Sequence, residues 1–105
     1  MTTYFFVAAS EKFLTVEEPI EEILKERIRN YKENNKEKDF WLLINPSFLK
    51  TNQFFDLREK IPSIPAAVLS TDKKFITFLK LRLEFVAVGE FECPNAEITD
   101  PIKVE

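Results

Sequence analysis

The chain has 105 residues, of which 45% are hydrophobic and 31% are charged. This composition indicates one globular domain and excludes a fibrous or disordered chain. The net charge of -3 provides no broad basic surface for phosphates, so we expect no nucleic-acid partner. The apolar N-terminal run is far shorter than the roughly 20 residues that span a bilayer, so any membrane association would be peripheral.

Missing residue types exclude several chemistries. The chain has no histidine, and Cys93 is its only cysteine. Ser-His and Cys-His catalysis, Cys-pair metal motifs and di-iron sites with Glu-x-x-His pairs are therefore excluded. Gly89 is the only glycine, which leaves no Gly-rich loop to hold a phosphate or a dinucleotide. We expect no catalytic residue, no cofactor and no tightly bound iron or zinc.

Four apolar segments predict β-strands. Tyr4–Ala9 is apolar at both alternating sets of positions, as in a strand that is covered on both faces. Phe40–Ile44 has the same pattern, and we expect it to be central in the sheet. Ala66–Leu69 and Phe85–Phe91 complete the set, with Gly89 as a candidate bulge or point of close approach.

The first helix is predicted to begin at Pro19, which the first turn of a helix tolerates. Its apolar positions follow helical spacing: Ile20, Ile23, Leu24, Ile28 and Tyr31. The opposite face, which includes Glu26, is charged and is predicted to be solvated. Asn34-Asn35 is predicted to end the helix, because asparagine tolerates the left-handed conformation.

Two further helical segments are predicted. A weakly periodic stretch begins at Asn45-Pro46 and is closed by Pro62 and Pro65, so we expect one broken helix or two short ones. Lys73–Leu83 is the last helix, and any residue of Ser70-Thr71-Asp72 is suited to cap it.

The alternation of strands with helices predicts helices on both faces of a sheet, and it usually indicates a parallel sheet. We expect a single domain over residues 1–105. Its core is predicted at about residues 3–91, and residues 92–105 are predicted to form an extended tail.

A charged residue interrupts the apolar stripe of the third helix. Phe75, Phe78 and Leu79 form the stripe, and Arg82 lies where the next core residue is expected. A snorkelling arginine at the helix C-terminus is one explanation. A guanidinium at the rim of a partner site is the other, because arginine is enriched at interfaces.

An acid directly precedes two large aromatic residues in Asp39-Phe40-Trp41. The aromatic residues suit a core, but an anchor residue beside an orienting charge is also typical of a small interface. Asp39 and Arg82 carry opposite charges and could pair, although nothing in the sequence shows that they are neighbours.

Several segments with preserved spacing resemble one small family. They are Tyr4-Phe5-Phe6-Val7-Ala8-Ala9-Ser10-Glu11-Lys12-Phe13-Leu14, Glu17-Glu18-Pro19, Asp39-Phe40-Trp41, Ser70-Thr71-Asp72, Leu81-Arg82-Leu83-Glu84-Phe85-Val86 and Gly89-Glu90-Phe91-Glu92. The chain resembles the accessory subunit of the magnesium-protoporphyrin IX monomethyl ester oxidative cyclase of cyanobacteria, algae and plants.

The resemblance implies an α+β fold, with an antiparallel sheet of about four strands sandwiched by helices, and this expectation replaces the parallel sheet. It also implies a non-catalytic role in forming the fifth ring of protochlorophyllide, with the chemistry in a separate di-iron subunit. Asp39, Phe40 and Arg82 are implied contacts to that subunit, and Glu26 is a weaker candidate. The tail after Glu92 departs from the family pattern.

The implied location is the cytoplasm or the plastid stroma, at photosynthetic membranes through the partner only. Two alternatives remain open at this point. One is a tetrapyrrole-binding protein that presents substrate to the cyclase, and the other is an enzyme.

Overall fold

A computed structural model describes all residues, 1–105. The strands are β1 (Thr2–Ser10), β2 (Phe40–Ile44), β3 (Pro65–Ser70) and β4 (Ala87–Cys93). The helices are α1 (Ile20–Glu33), α2 (Phe55–Glu59) and α3 (Lys73–Leu83). A π-helical turn covers Phe13–Glu17, and two 3₁₀ turns cover Ser47–Lys50 and Asn52–Phe54.

The four strands form one open antiparallel sheet in the order β2-β3-β1-β4. This arrangement confirms the α+β fold, and the parallel sheet suggested by alternation is wrong. The reason is that α1 and α3 each connect strands that are not neighbours. β3 lies between β1 and β2, and β1 lies between β3 and β4, so each β-α-β unit is split by an antiparallel strand.

The prediction that β2 is central is also wrong, because β2 lies at one edge of the sheet. Its apolar pattern arises because both faces of the sheet are covered. Phe40 packs in the core on one face, and Leu43 packs in the core on the other. The apolar pattern of a strand shows whether the two faces of the sheet are covered there. It does not show whether the strand has a neighbour on each side, so it cannot distinguish a central strand from an edge strand.

The two faces of the sheet carry separate cores. The first core lies under α1 and α3 and contains Val7, Ala9, Leu14, Ile20, Leu24, Tyr31, Phe40, Ala66, Val68, Phe75, Ile76, Leu79 and Leu83. The second core lies under the two 3₁₀ turns, with α2 beside them, and contains Phe6, Ala8, Leu43, Phe48, Leu49, Phe54, Ala67, Leu69, Phe91, Cys93 and Ile98. The weak helical stretch after Asn45 is thus broken, as expected, into two 3₁₀ turns and a short helix.

Gly89 is a point of close approach. A Cβ atom there would lie 2.6 Å from Cζ of Phe6, whose ring is buried in the second core. The register of β4 against β1 continues without a slip at Gly89, so no bulge forms.

The fourth strand begins two residues later than predicted. Glu84 has φ 62° and ψ -56°, and the amide of Phe85 donates to the carbonyl of Leu83 at 2.7 Å. These values define a γ-turn with positive φ at its centre, a rare and strained conformation. The turn leaves the Phe85 side chain 81% exposed before β4 starts at Ala87.

The residues after Glu92 fold back onto the domain and do not extend away from it. β4 continues to Cys93, and Ile98 is buried in the second core. Cys93 Sγ donates to the carbonyl of Ile98 at 3.4 Å. A further bridge joins Val104 to Pro46, beyond the end of β2.

Candidate functional site

Arg27, in the middle of α1, organises the contact between α1 and α3. Its Nη2 atom donates to Asp72 Oδ2 at 2.9 Å and to Tyr31 Oη at 2.7 Å. Its guanidinium carbon lies 3.8 Å from the ring centroid of Phe75, a cation–π contact. Local sequence patterns do not reveal Arg27, because its partner Asp72 is 45 positions away and no motif marks the pair.

Tyr31 extends this arrangement to the start of β2. Its hydroxyl donates to Asp39 Oδ1 at 2.8 Å. The backbone carbonyl of Asp39 accepts from Ser70 Oγ at 2.8 Å and from the amide of Thr71 at 3.2 Å. Asp39 is therefore held by both its side chain and its main chain. We call Arg27, Tyr31, Asp39 and Asp72 the Arg27 network.

Asp72 has a second task as the N-cap of α3. Its Oδ1 atom accepts from the amides of Lys74 at 3.0 Å and Phe75 at 3.4 Å, so Asp72 is the one of the three candidates in Ser70-Thr71-Asp72 that caps the helix. Burial by itself would raise the pKa of Asp72, but the hydrogen bonds from Arg27 and from these two amides hold it below its usual value. Asp72 is thus kept ionised as both cap and ion-pair partner.

Tyr31 is shifted in the opposite direction. Burial, followed by the hydrogen bond to Asp39, raises the pKa of the Tyr31 hydroxyl above its ordinary value. The hydroxyl therefore stays protonated at physiological pH and remains a donor to Asp39.

A groove lies between α1 and α3 on the outside of the Arg27 network, with a cavity volume of about 470 Å³. Its lining residues are Ile23, Glu26, Arg27, Asn30, Tyr31, Asp72, Lys74, Phe75 and Phe78. We call this feature the α1–α3 groove. Arg27 Nε is buried beside it without a hydrogen-bond partner.

The four residues implied as partner contacts do not form one cluster in the structure. Glu26 lines the α1–α3 groove and is paired with Arg29 at 2.7 Å, and Asp39 reaches the groove through Tyr31. Arg82 is exposed near the opposite end of α3 and makes no ion pair, so it does not pair with Asp39.

Phe40 is only 1% exposed and is part of the first core. Its ring makes edge contacts with Tyr31 at 5.4 Å and with Phe75 at 5.7 Å between centroids. The implied direct contact through Phe40 is therefore incompatible with this structure, because the ring has almost no surface to offer a partner.

The buried stripe of α3 differs from the predicted one. Its members are Phe75, Ile76, Leu79 and Leu83. Phe78 is 51% exposed and Leu81 is 72% exposed, so both face outward. Arg82 is also exposed, and it does not occupy a core position. The prediction failed because the apolar residues extend beyond one face of this helix, and spacing alone did not show which of them are buried.

A second cavity, of about 600 Å³, lies where the π-helical turn approaches the γ-turn. Phe13, Ile61 and Phe85 supply apolar lining, while Glu17, Lys60 and Glu84 supply charges of both signs. It lies outside the Arg27 network and shares no lining residue with the α1–α3 groove.

No group of three or more histidine, cysteine, aspartate or glutamate side chains is placed to hold a metal ion. None of the helices has both the length and the apolar character needed to cross a membrane.

These features define a small α+β domain, with a four-stranded antiparallel sheet covered on both faces and a solvent-open groove between two helices. The chain belongs to the Ycf54 family, whose profile, described as Ycf54 protein, matches residues 2–93. This membership confirms the family resemblance found in the sequence.

Relatives occur in cyanobacteria and plastids. The chain is 51% identical over 102 residues to a Ycf54-like protein of Synechocystis, an alignment that covers 97% of this chain and 77% of that protein. It is 38% identical over 97 residues to the chloroplastic protein YCF54 of Arabidopsis thaliana, covering 91% of this chain and 45% of that protein.

Solved structures share the fold. The All0216 protein of Nostoc superimposes with a TM-score of 0.95 at 51% identity, covering 98% of this chain and 95% of that one. The Ycf54 protein of Synechocystis superimposes with a TM-score of 0.93 at 49% identity, covering 99% and 97%.

Proposed function

We propose that the chain is a non-catalytic accessory subunit that binds and stabilises the di-iron subunit of the magnesium-protoporphyrin IX monomethyl ester oxidative cyclase. Chemistry would belong to that subunit, and this chain would reach photosynthetic membranes through it. The resemblance over most of the chain and membership of the Ycf54 family support this proposal.

The structural observation that carries the proposal is the outer face of α3. Phe78 and Leu81 expose large apolar side chains there, and Arg82 lies directly beside Leu81 in the helix. Exposed apolar groups next to an unpaired arginine are typical of a protein interface, since exposed apolar patches mark interaction sites and arginine and aromatic residues are enriched there. Glu26 and Phe78 line the same groove, so a partner on this face would also meet Glu26.

Asp39 has a different role in this proposal. Its side chain accepts from Tyr31, which in turn accepts from Arg27, so Asp39 positions the wall of the groove. Removal of its side chain would affect the partner through this wall as well as through any direct contact.

A quantitative pull-down of the purified cyclase subunit tests the proposal. Arg82→Ala and Leu81→Ala should each weaken binding by at least about tenfold, which corresponds to about 1.4 kcal/mol. Lys50→Ala and Ile102→Ala are matched controls, because these exposed side chains lie outside both α3 and the groove. Undiminished binding by both Arg82→Ala and Leu81→Ala would place the interface elsewhere.

Two variants distinguish a direct contact of Asp39 with the partner from its positioning of Tyr31. Asp39→Asn keeps an oxygen acceptor for Tyr31 and removes the charge, whereas Asp39→Ala removes both. Equal loss of partner binding in the two variants would indicate that the partner contacts the charge. Loss in Asp39→Ala alone would indicate that Asp39 acts by positioning Tyr31, and thermal melts should accompany both measurements.

The cavity of about 600 Å³ favours a second candidate, a tetrapyrrole-binding protein that presents substrate. Its volume falls within the range of about 300 to 1,000 Å³ that is usual for small-molecule sites. Titration of the purified chain with the magnesium porphyrin substrate should then shift the Soret absorbance, and Phe13→Ala should reduce the shift. An unchanged spectrum at saturating protein would reject this candidate.

A further inference from the structure

The charges of α3 are unusual in an acidic protein. The helix carries Lys73, Lys74, Lys80 and Arg82 and contains no acidic residue from Lys73 to Leu83. All four cations are exposed, and none forms an ion pair, because the two ion pairs of the protein are Arg27–Asp72 and Arg29–Glu26. The chain as a whole has a net charge of -3, so α3 is a local basic surface.

Stability of the helix does not explain all of these cations. Lys80 and Arg82 lie near the C-terminus of α3, where positive charge is favourable. Lys73 and Lys74 lie at the N-terminus, where the helix dipole disfavours positive charge. The nearby carboxylate of Asp72 is already paired with Arg27. The N-terminal cations are therefore available to an external acidic group.

The α1–α3 groove combines an apolar lining with a free positive charge. Its acidic lining residues are neutralised internally, since Glu26 is paired with Arg29 and Asp72 with Arg27. Lys74 remains as an unpaired cation in the lining, and Arg82 lies one turn beyond Phe78 on α3. Ile23 and Phe78 supply apolar contacts from the two sides.

We propose that the α1–α3 groove and the outer face of α3 bind an acidic amphipathic helix. Its apolar side chains, at helical spacing, would contact Phe78, Leu81 and Ile23, and its flanking carboxylates would pair with Lys74 and Arg82. Helix-in-groove binding of this kind uses apolar anchors at intervals of three, four and seven residues. The inference rests on the proposed function in one respect: the helix is a segment of the di-iron subunit.

Charge reversal tests the electrostatic half of this proposal. The double variant Lys74→Glu/Arg82→Glu should bind the purified di-iron subunit at least about tenfold more weakly than the wild type, and its affinity should depend less on salt. The control Lys50→Glu/Arg58→Glu makes the same change in net charge outside the groove, on exposed residues, and should bind within about twofold of the wild type. Equal weakening in both double variants would overturn the proposal, because net charge alone would then explain the effect.

Site-specific cross-linking tests the helix itself. A photo-reactive amino acid at Leu81 should cross-link, in the assembled complex, to a segment of the di-iron subunit with apolar residues at helical spacing and flanking Asp or Glu. A cross-link to a basic or extended segment would overturn this inference and leave the proposed function intact. If the wild-type chain forms no complex with the di-iron subunit, both fail.

A membrane surface is the competing occupant for a basic, partly apolar helix. Flotation of the purified chain with vesicles of phosphatidylglycerol and phosphatidylcholine distinguishes it. Little or no flotation is expected. If the wild type floats with the vesicles and Leu81→Ala and Arg82→Glu do not, the proposal is overturned and the surface binds lipid.

Discussion

At the scale of single residues, Arg27 shows how one side chain can join two helices. Its guanidinium pairs with Asp72, donates to Tyr31 and stacks on Phe75. Such a partly buried cation is stabilising only while its partners are present, since a lone charge there would lose both solvent and hydrogen bonds. The ion pair with Asp72 therefore links α1 to the start of α3.

Asp72 should make stability depend on acidic pH. Its folded pKa lies below the unfolded value of about 3.9, so its contribution is full above that value and is lost as the pH falls through the folded pKa. Asp72→Asn keeps a capping oxygen but loses the ion pair, and it should cost about 1 kcal/mol at pH 7. Urea unfolding at pH 7 and at pH 2 should show this difference shrinking at low pH.

The matched control is Asp56→Asn, which removes an exposed carboxylate from the first turn of α2. It should leave the pH dependence close to that of the wild type. A difference between Asp72→Asn and the wild type that is constant with pH would mean that Asp72 acts only as a cap.

Phe40 should act on stability and not on the partner directly. Phe40→Ala removes a ring from the first core and is expected to cost about 3 to 5 kcal/mol, enough to unfold much of a marginally stable domain. Partner binding should therefore fall only in parallel with the folded fraction measured by circular dichroism. If a fully folded Phe40→Ala protein lost the partner, the ring would have to be exposed in the complex.

At the scale of elements, α3 has apolar residues both on a buried face and on an exposed face. Leu79 is fully buried against the sheet, and Leu81, two positions away, is 72% exposed. The same residue type in the same helix is therefore a core residue at position 79 and a surface residue at position 81. Lys73 and Lys74 also belong to this exposed surface, and their positive charges at the N-terminus of α3 do not stabilise the helix.

Leu79→Ala should lower the free energy of unfolding by about 2 to 5 kcal/mol, because it leaves a cavity in the first core. Leu81→Ala should change it by no more than about 0.5 kcal/mol, because its side chain is already in solvent. Chemical denaturation of both variants under one set of conditions measures the contrast. A large loss of stability in Leu81→Ala would show that the outer face is buried in solution.

At the scale of the whole molecule, the sheet separates two cores that are covered by different kinds of structure. Helices α1 and α3 cover the first core with regular structure. The second core is covered by short turns, and Ile98 from the C-terminal segment contributes to it. Residues beyond the last strand are thus part of the folded unit.

Ile98→Ala should destabilise the domain by about 2 to 4 kcal/mol, because Ile98 is buried against Cys93 and the aromatic residues of the second core. Ile102→Ala, four residues later, is the control and should have a small effect, since Ile102 is 44% exposed. Thermal melts of the two variants provide the comparison. Equal and small effects would mean that the C-terminal segment is not held against the second core in solution.

Local signals were sufficient to predict most elements. β2 and α3 begin and end at the predicted residues, and Asp72 caps α3, because strand alternation and capping involve neighbours in the chain. The close approach at Gly89 was one of two predicted alternatives, the other being a bulge, since a glycine within a strand commonly marks either feature. The absence of histidine is a property of composition alone, and it excludes the commonest catalytic and metal-binding group whatever the fold.

Tertiary structure alone decided three matters. It placed β2 at the edge, it buried Phe40 and exposed Phe78 and Leu81, and it brought Arg27 to Asp72. Each depends on contacts between segments that are distant in the chain, whereas hydrophobic periodicity reports only how a segment alternates between environments. The apolar residues of α3 extend beyond one face of the helix, and only its packing against α1 and the sheet determines which of them are buried.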